Sequence, residues 1–332
     1  LRLQADQGTN LRVTSDSWLQ ILVYRQDLLA RKGLPKPDSY AHVLRAAEAF
    51  DGPGTTGISL ATDPGDVFTQ QSFESLALAN DCQLVDEDRE VALDSAPCRE
   101  ALATYDTLAR GHGAPGTQTV DTTRATYFAG RSAMILWSSM ILDELAGLRK
   151  DALPTCAQCA KDRTYLADNS GVVTKMKGKD GAGPAQFGEI TSWAVTRTAE
   201  QEASRSFITY MLDSGYEEWF SMAPEGKIPV RSGTADDPER FEKAWRASDV
   251  GVDRRMPMDK AFPPQLLDDL FAGVTHMRRW GLAQGEGLLV GATNGELPVP
   301  KAIGAMTSGQ ISPGEAAADA DEEVTALQKS LS

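Results

Sequence analysis

From residue 19 to residue 212, short apolar runs alternate with amphipathic stretches, and this alternation restricts the fold more than any other feature. Residues 19–24, Leu-Gln-Ile-Leu-Val-Tyr, have the pattern of a buried strand. A helix over 26–32 follows, and Gly33 stops it. Pro37-Asp38-Ser39 caps a second helix, whose apolar face carries Tyr40, Val43, Leu44, Ala47 and Phe50. Residues 57–61 read as a short strand and 66–80 as a helix. Ser95 and Pro97 open a helix bearing Ala101, Tyr105, Leu108 and Ala109, and a helix over 122–130 leads into a strand at 133–137. A Gly/Lys-rich loop at 175–185 precedes one more unit, strand 193–195 with helix 200–212. The last third reads as helices at 238–247, 264–280, 298–307 and 312–331. Strand–helix alternation of this kind predicts an α/β fold with mostly parallel pairing.

A chain of 332 residues exceeds one ordinary domain and suits two α/β lobes. Its net charge of −14 argues against nucleic acid or an anionic membrane surface as the main partner. No apolar run approaches the roughly 20 residues of a membrane helix. The chain opens on Leu1-Arg2-Leu3 with no signal-peptide pattern, as a mature or trimmed product does.

Four cysteines fall into two local pairs. Cys82 and Cys98 flank two alternating runs around Asp86-Glu87-Asp88-Arg89, which read as a β-hairpin that returns the chain beside its start. Cys156 and Cys159 form Cys-Ala-Gln-Cys after Pro154. Two disulfides with no thiol left over point to an oxidising, extracytoplasmic location, although four reduced cysteines in a cytosolic enzyme give the same pattern.

Catalytic constellations are sparse. His42 and His276 lie on amphipathic helices, His112 sits in a helix-ending turn, and none has the spacing of a zinc site. The chain lacks Gly-x-Ser-x-Gly, Walker A and Gly-x-Gly-x-x-Gly motifs. Cys156-x-x-Cys159 precedes a polar stretch, whereas redox motifs of that spacing open a helix after a strand, so a structural disulfide is the better reading. Asp63 and Asp66 are the natural carboxylate pair for glycoside hydrolysis, with helix capping as the alternative. No enzyme activity, metal or cofactor is expected.

Four stretches resemble, in order, motifs of the family 1 extracellular solute-binding proteins, the maltose-binding-protein-like components of ABC sugar importers. Val23-Tyr24-Arg25-Gln26-Asp27-Leu28-Leu29-Ala30-Arg31-Lys32-Gly33-Leu34 is similar to the family's "yYnkdLfkkaGl". Pro37-Asp38-Ser39-Tyr40 stands where its "P-x-T-W" helix start belongs. Phe128-Ala129-Gly130-Arg131-Ser132-Ala133-Met134 resembles "F-x-x-G-k-a-A-M", and Gly226-Lys227-Ile228-Pro229-Val230-Arg231 resembles "G-x-l-P-x-r". The resemblance implies a type II periplasmic-binding-protein-like fold, two lobes closing on a hinge. In the family, about a hundred residues precede the first motif, so the N-terminal lobe is expected to be incomplete in this chain.

The implied partition assigns 19–190 and 223–332 to the C-terminal-type lobe with its helical tail, and 1–18 and 191–222 to the hinge and the rest of the N-terminal-type lobe. The implied function is capture of a small polar solute, a sugar or glycoside, for an ABC permease. The implied protein is an extracellular or periplasmic monomer, a lipoprotein held at the membrane through a signal or lipid anchor outside this sequence. Alternatives are a glycoside-processing enzyme and a partner-binding lobe. Sugar sites combine aromatic faces with planar polar groups. By this likeness Asp16, Trp18, Asp63, Asp66, Trp137, Ser138, Ser192, Trp193, Asn294 and Arg231 are the expected contacts. Trp219, Trp245 and Trp280, inside helices, are expected in the core.

Overall fold

The computed structural model describes residues 4–6 and 10–331, with side chains from Val13 onward. Its main sheet has the path β10-β6-β2-β4-β3, with β1, β5 and β7 also paired to β2. The strands are β1 (Gln4–Asp6), β2 (Asn10–Arg25), β3 (Thr56–Ser59), β4 (Ser132–Ser138), β5 (Ser170–Val173), β6 (Gln186–Ala194) and β7 (Ile228–Pro229). β8 (Asp249–Val250) and β9 (Met256–Pro257) pair separately, and β10 is Met277–Arg278.

Mostly parallel pairing was the wrong expectation. β4, β5, β6 and β7 all run antiparallel to β2, and only β3–β4 and β6–β10 are parallel among the described residues. Two helices, α1 (Gln26–Arg31) and α2 (Tyr40–Phe50), separate β2 from β3. The chain therefore re-enters the sheet from the end where β2 left it, whereas a single crossover helix gives parallel strands. β2 is also far longer than residues 19–24. Its first half pairs with β6 through Leu19, and its second half pairs with β4 from Gln20. Ser15, Asp16 and Ser17 break the apolar pattern, yet all three are buried. Ser15 Oγ donates to Asp16 Oδ1 at 2.5 Å, and Ser17 Oγ donates to the Ile228 carbonyl at 3.2 Å. A bulge between Thr14 and Asp16 shifts the register there.

Thirteen further helices follow: α3 (Val67–Ala79), α4 (Ala96–Asp106), α5 (Val120–Phe128), α6 (Leu142–Leu145), α7 (Tyr165–Asn169), α8 (Gln201–Met211), α9 (Tyr216–Ser221), α10 (Arg240–Ala247), α11 (Met258–Ala261), α12 (Pro264–Gly273), α13 (Gly287–Glu296), α14 (Pro298–Thr307) and α15 (Pro313–Ser330). Their caps match the sequence signals. Ser39 accepts from the His42 amide, and Ser312 forms a capping box with Glu315. The helix expected over 264–280 stops at Gly273 and gives way to β10, because Trp280 is drawn into the core, where its Nε1 donates to the Cys82 carbonyl at 2.9 Å. α13 was not anticipated, since its run of glycines masks the helical pattern.

The sheet carries a core on each face. α2, α3, α4, α14 and α15 supply one, around Phe73, Tyr105 and Trp280. α5, α9, α10 and α12 supply the other, around Tyr127, Phe220, Phe241 and Trp245. α8 has no buried residue, and Phe207 and Tyr210 on it are each 51 % exposed.

The 83–94 segment turns back as expected, but its ladder shrinks to one bridge, Val85 with Val91, because Asp86 takes the Asp88 and Glu90 amides on its side chain. It brings Cys98 to Cys82 (S–S 2.04 Å), and Cys156 bonds Cys159 (1.99 Å), leaving no free cysteine among the described residues. The first bond joins residues 16 apart. Replacing both Cys82 and Cys98 with alanine is expected to cost about 3 kcal/mol, read as a lower urea midpoint with a steeper slope as the denatured chain loses its crosslink.

Candidate functional site

The middle of β2, the end of β4 and the starts of α3 and α5 meet around a cavity of about 270 Å³ lined by Trp18, Phe68, Gln71, Val120, Trp137, Ser138 and Met140. Trp137 is the last apolar residue of β4, and Ser138 closes the strand before a 3-10 turn at Ser139–Ile141. β4 is held in register by Ile21 opposite Trp137. Phe68 stands in the first turn of α3 because Asp66 caps that helix, its Oδ1 accepting from the Phe68 amide at 2.9 Å. Phe68 and Trp137 meet edge to face at 4.6 Å, and Trp18 meets Phe187 in the same way at 5.7 Å. These contacts fix the rings at little entropic cost to a ligand. The wall is apolar, with Gln71 and Ser138 as uncharged hydrogen-bonding groups, which suits the C–H face and hydroxyl rim of a sugar ring.

A polar corner lies next to this wall. Gly226 packs against Met140, with only 3.1 Å between its ideal Cβ position and Met140 Cε. Lys227, the next residue, lies 3.6 Å above the Trp219 ring and 3.8 Å from Asp16. Trp219 Nε1 donates to Asp16 Oδ1 at 2.6 Å, and Trp193 packs on Trp219 at 4.8 Å. Asp16 Oδ2 and Trp193 Nε1 are buried and make no hydrogen bond within the described residues.

The structure therefore brings Trp18, Trp137 and Ser138 to one cavity and Asp16 and Trp193 to the corner beside it. Ser192 is exposed on β6, next to Trp193. The acidic pair is engaged locally: Asp66 caps α3, and Asp63 Oδ1 accepts the Gly65 amide at 2.9 Å. Asn294 accepts from Gln70 Nε2 at 2.6 Å and lines another cavity. Arg231 is turned away into packing, donating to the Leu212 carbonyl and lying 4.9 Å over Phe241. Trp245 and Trp280 are buried in the core as expected, but Trp219 belongs to the corner instead. Gln71, Met140 and Lys227 escaped sequence reasoning. Lys227 stands inside one of the motifs and Met140 three residues after Trp137, so nearness to a motif was the available signal.

Carboxylates crowd behind Met140. Ser139 Oγ donates to the Glu225 carbonyl at 2.6 Å, and α6 carries Asp143 and Glu144. Burial pushes Glu225 up to about 7 and Asp143 up to about 6, each opposed by Arg149 and reinforced by neighbouring acids. A carboxyl held above its unfolded value binds its proton more tightly when folded, so stability falls as pH rises from about 4.5 through 7. Glu225→Gln is expected to flatten that decline and raise Tm at pH 8 by about 2–4 °C relative to its effect at pH 5, measured by calorimetry.

No family profile matches the chain. It is 26% identical over 244 residues to YcjN of Escherichia coli (strain K12), named as an ABC transporter periplasmic-binding protein; the match covers 72% of this chain and 50% of that one. The chain thus spans about half the length of the curated relative it matches. Among solved structures, it is similar to the cyclic alpha-maltosyl-1,6-maltose binding protein from Arthrobacter globiformis (TM-score 0.68, 17% identity, 97% of this chain and 73% of that one). It is also similar to the GacH receptor of Streptomyces glaucescens (TM-score 0.64, 20%, 96% and 71%) and to a sugar transporter from Arthrobacter chlorophenolicus A6 with bound laminaribiose (TM-score 0.65, 16%, 95% and 71%). The fold is that of the solute-binding proteins of ABC transporters, and the resemblance carried by the sequence motifs holds.

Proposed function

We propose that this chain binds a sugar outside the cytoplasm and presents it to an ABC import permease, its lobes closing on the ligand about the β2–β6 crossing. The observation that carries this reading is the Trp137 pocket, where aromatic walls fixed by edge-to-face contacts meet uncharged polar groups. Supporting it are the likeness to a periplasmic-binding protein and to solved proteins with bound saccharides. The protein acts by binding and not by catalysis: the relatives are binding proteins, and Asp63 and Asp66 are engaged as turn and cap. The two disulfides suit an oxidising, extracytoplasmic location, with attachment to the membrane by an anchor outside this chain. Among the described residues no helix is long and apolar enough to cross a membrane.

The proposed lobes are those of the sequence partition, 19–190 with 223–332 and 1–18 with 191–222. The proposed contacts are Trp18, Trp137 and Ser138 on one wall and Asp16, Ser192 and Trp193 in the polar corner beside it, joined by Gln71, Met140, Trp219 and Lys227. The protein works as a monomer. Melting the protein against a panel of sugars and polyols tests the function. A sugar that raises Tm and is recovered unchanged fits the reading; turnover of the sugar makes the protein an enzyme, and no response from any solute removes sugar capture.

A further inference from the structure

Behind the Trp137 pocket lies a group of carboxylates that the sugar contacts do not use. Asp143 and Glu144, on α6, are buried, and Glu225 faces them from the turn at 223–227. Asp143 Oδ1, Glu144 Oε2 and Glu225 Oε2 are all buried without a hydrogen bond in the described residues. The cations around them are too few. Arg124 holds Glu144 at 2.9 Å but also Asp121 at 3.1 Å. Arg149 lies 3.8 Å from both Asp143 and Glu144 and is drawn out to Asp151 at 3.1 Å. Arg255 is exposed and bonds the Gly251 carbonyl. On α10, which reaches this turn through Trp245, the arginines and Lys243 pair with Glu217, Glu239, Glu242 and Asp268. The three buried acids, with Asp121 and Asp151, therefore share Arg124 and Arg149. Burial without matching charge favours the neutral acid, and Glu225, at about 7, and Asp143, at about 6, take up protons near neutrality as a coupled pair.

Glu225 is also tied to the pocket wall. Ser139 Oγ donates to its carbonyl at 2.6 Å and accepts the Leu19 amide at 3.4 Å, next to Trp18. Gly226 packs on Met140, and Lys227 covers Trp219 and Asp16. When the cluster ionises, like charges push Glu225 from α6, and Gly226 and Lys227 shift with it. Conversely, a sugar that covers the half-exposed Met140 takes water away from these carboxyls and favours their neutral forms.

We propose that Glu225 and Asp143 form a proton latch behind the pocket: protonated, they seat the 223–227 turn against α6 and sugar binds tightly; ionised, they displace it and affinity falls. The latch rests on sugar capture being the function. The sign follows from linkage. A group that binds its proton more tightly in the complex adds affinity that is fully present below its free-state value and is lost as pH rises through its bound-state value. Affinity is therefore greatest below about 6 and declines through and above 7.

Calorimetric titration of the protein with glucose, maltose and laminaribiose, from about pH 5.5 to about pH 8.5, is the test. For a sugar that binds, Kd is expected to rise at least about fivefold across that range. Binding near pH 7 is expected to take up a fraction of a proton, read from the difference in heat between buffers of low and high ionisation enthalpy. Glu225→Gln keeps the shape of the neutral acid and is expected to hold the low-pH affinity within twofold at every pH. Asp143→Asn is expected to at least halve the pH dependence, and Tm of each free variant reports that its fold is kept. A Kd that is the same at every pH, one that rises as pH falls, or a pH dependence that survives in both variants overturns the latch and leaves sugar capture standing. Survival in both moves the proton to Glu74, the buried carboxyl beside Arg279, or to a histidine. Absence of binding by all three sugars at every pH removes sugar capture and the latch with it.

Discussion

Trp137→Ala is expected to weaken sugar binding at least about 30-fold, a loss of 2 kcal/mol or more of the size found for anchors in buried pockets. The argument starts with position. Trp137 is the last buried residue of a strand that is buried over almost its whole length, and only 7 % of the residue is exposed. Phe68 holds its edge, and Ser138 and Met140 complete the wall beside it. Truncation removes the apolar face that a pyranose covers and frees Phe68 from its fixed orientation. Because Trp137 also belongs to the core beneath the cavity, the substitution costs folding stability too. Affinity at a temperature well below Tm separates the two effects. Asp63→Asn serves as the comparison: Asp63 closes a local turn, and its replacement is expected to change affinity less than twofold. A loss on Asp63→Asn equal to that on Trp137→Ala would place the ligand at the acidic loop instead.

Trp280→Ala is expected to be the most damaging single change to the fold, at about 3–5 kcal/mol. Trp280 is 1 % exposed, packs edge to face on Phe73 at 5.9 Å, and donates Nε1 to the carbonyl of a disulfide cysteine, Cys82. Its own amide donates to Glu74 Oε1 at 2.8 Å. Alanine leaves a large void, an unpaired carbonyl and a looser grip on Glu74, the partner of Arg279. Urea unfolding reads the loss. Trp245→Phe makes a milder control, since a ring remains in the core and the loss is the Nε1 bond to the Pro224 carbonyl at 2.8 Å and a smaller void.

Elements whose signal is local were legible in the sequence. Ser39, Asp66 and Ser312 announce their helices, since a cap acts within three residues. Strand β4 and its last apolar residue, Trp137, stand out for the same reason, an unbroken apolar run. Long-range pairing was hidden. Nothing in the residues of β2 says that four later strands return antiparallel to it, and its buried Ser15-Asp16-Ser17 looks like a loop until their partners are known. The same blindness misplaced Trp219, which reads as a core residue of α9 but bonds Asp16, some two hundred residues away in the chain. Arg231 shows the converse: a motif marked it for the ligand, and packing on Phe241 took its guanidinium.

The central claim is that Trp137 and Trp18 receive a sugar that leaves chemically unchanged. A crystal structure of the protein with the sugar that most raises its Tm tests this most directly. The prediction is an intact sugar ring lying against Trp137, within hydrogen-bonding distance of Ser138 or Gln71. A ring bound away from that wall, or density for a cleaved product, would contradict it.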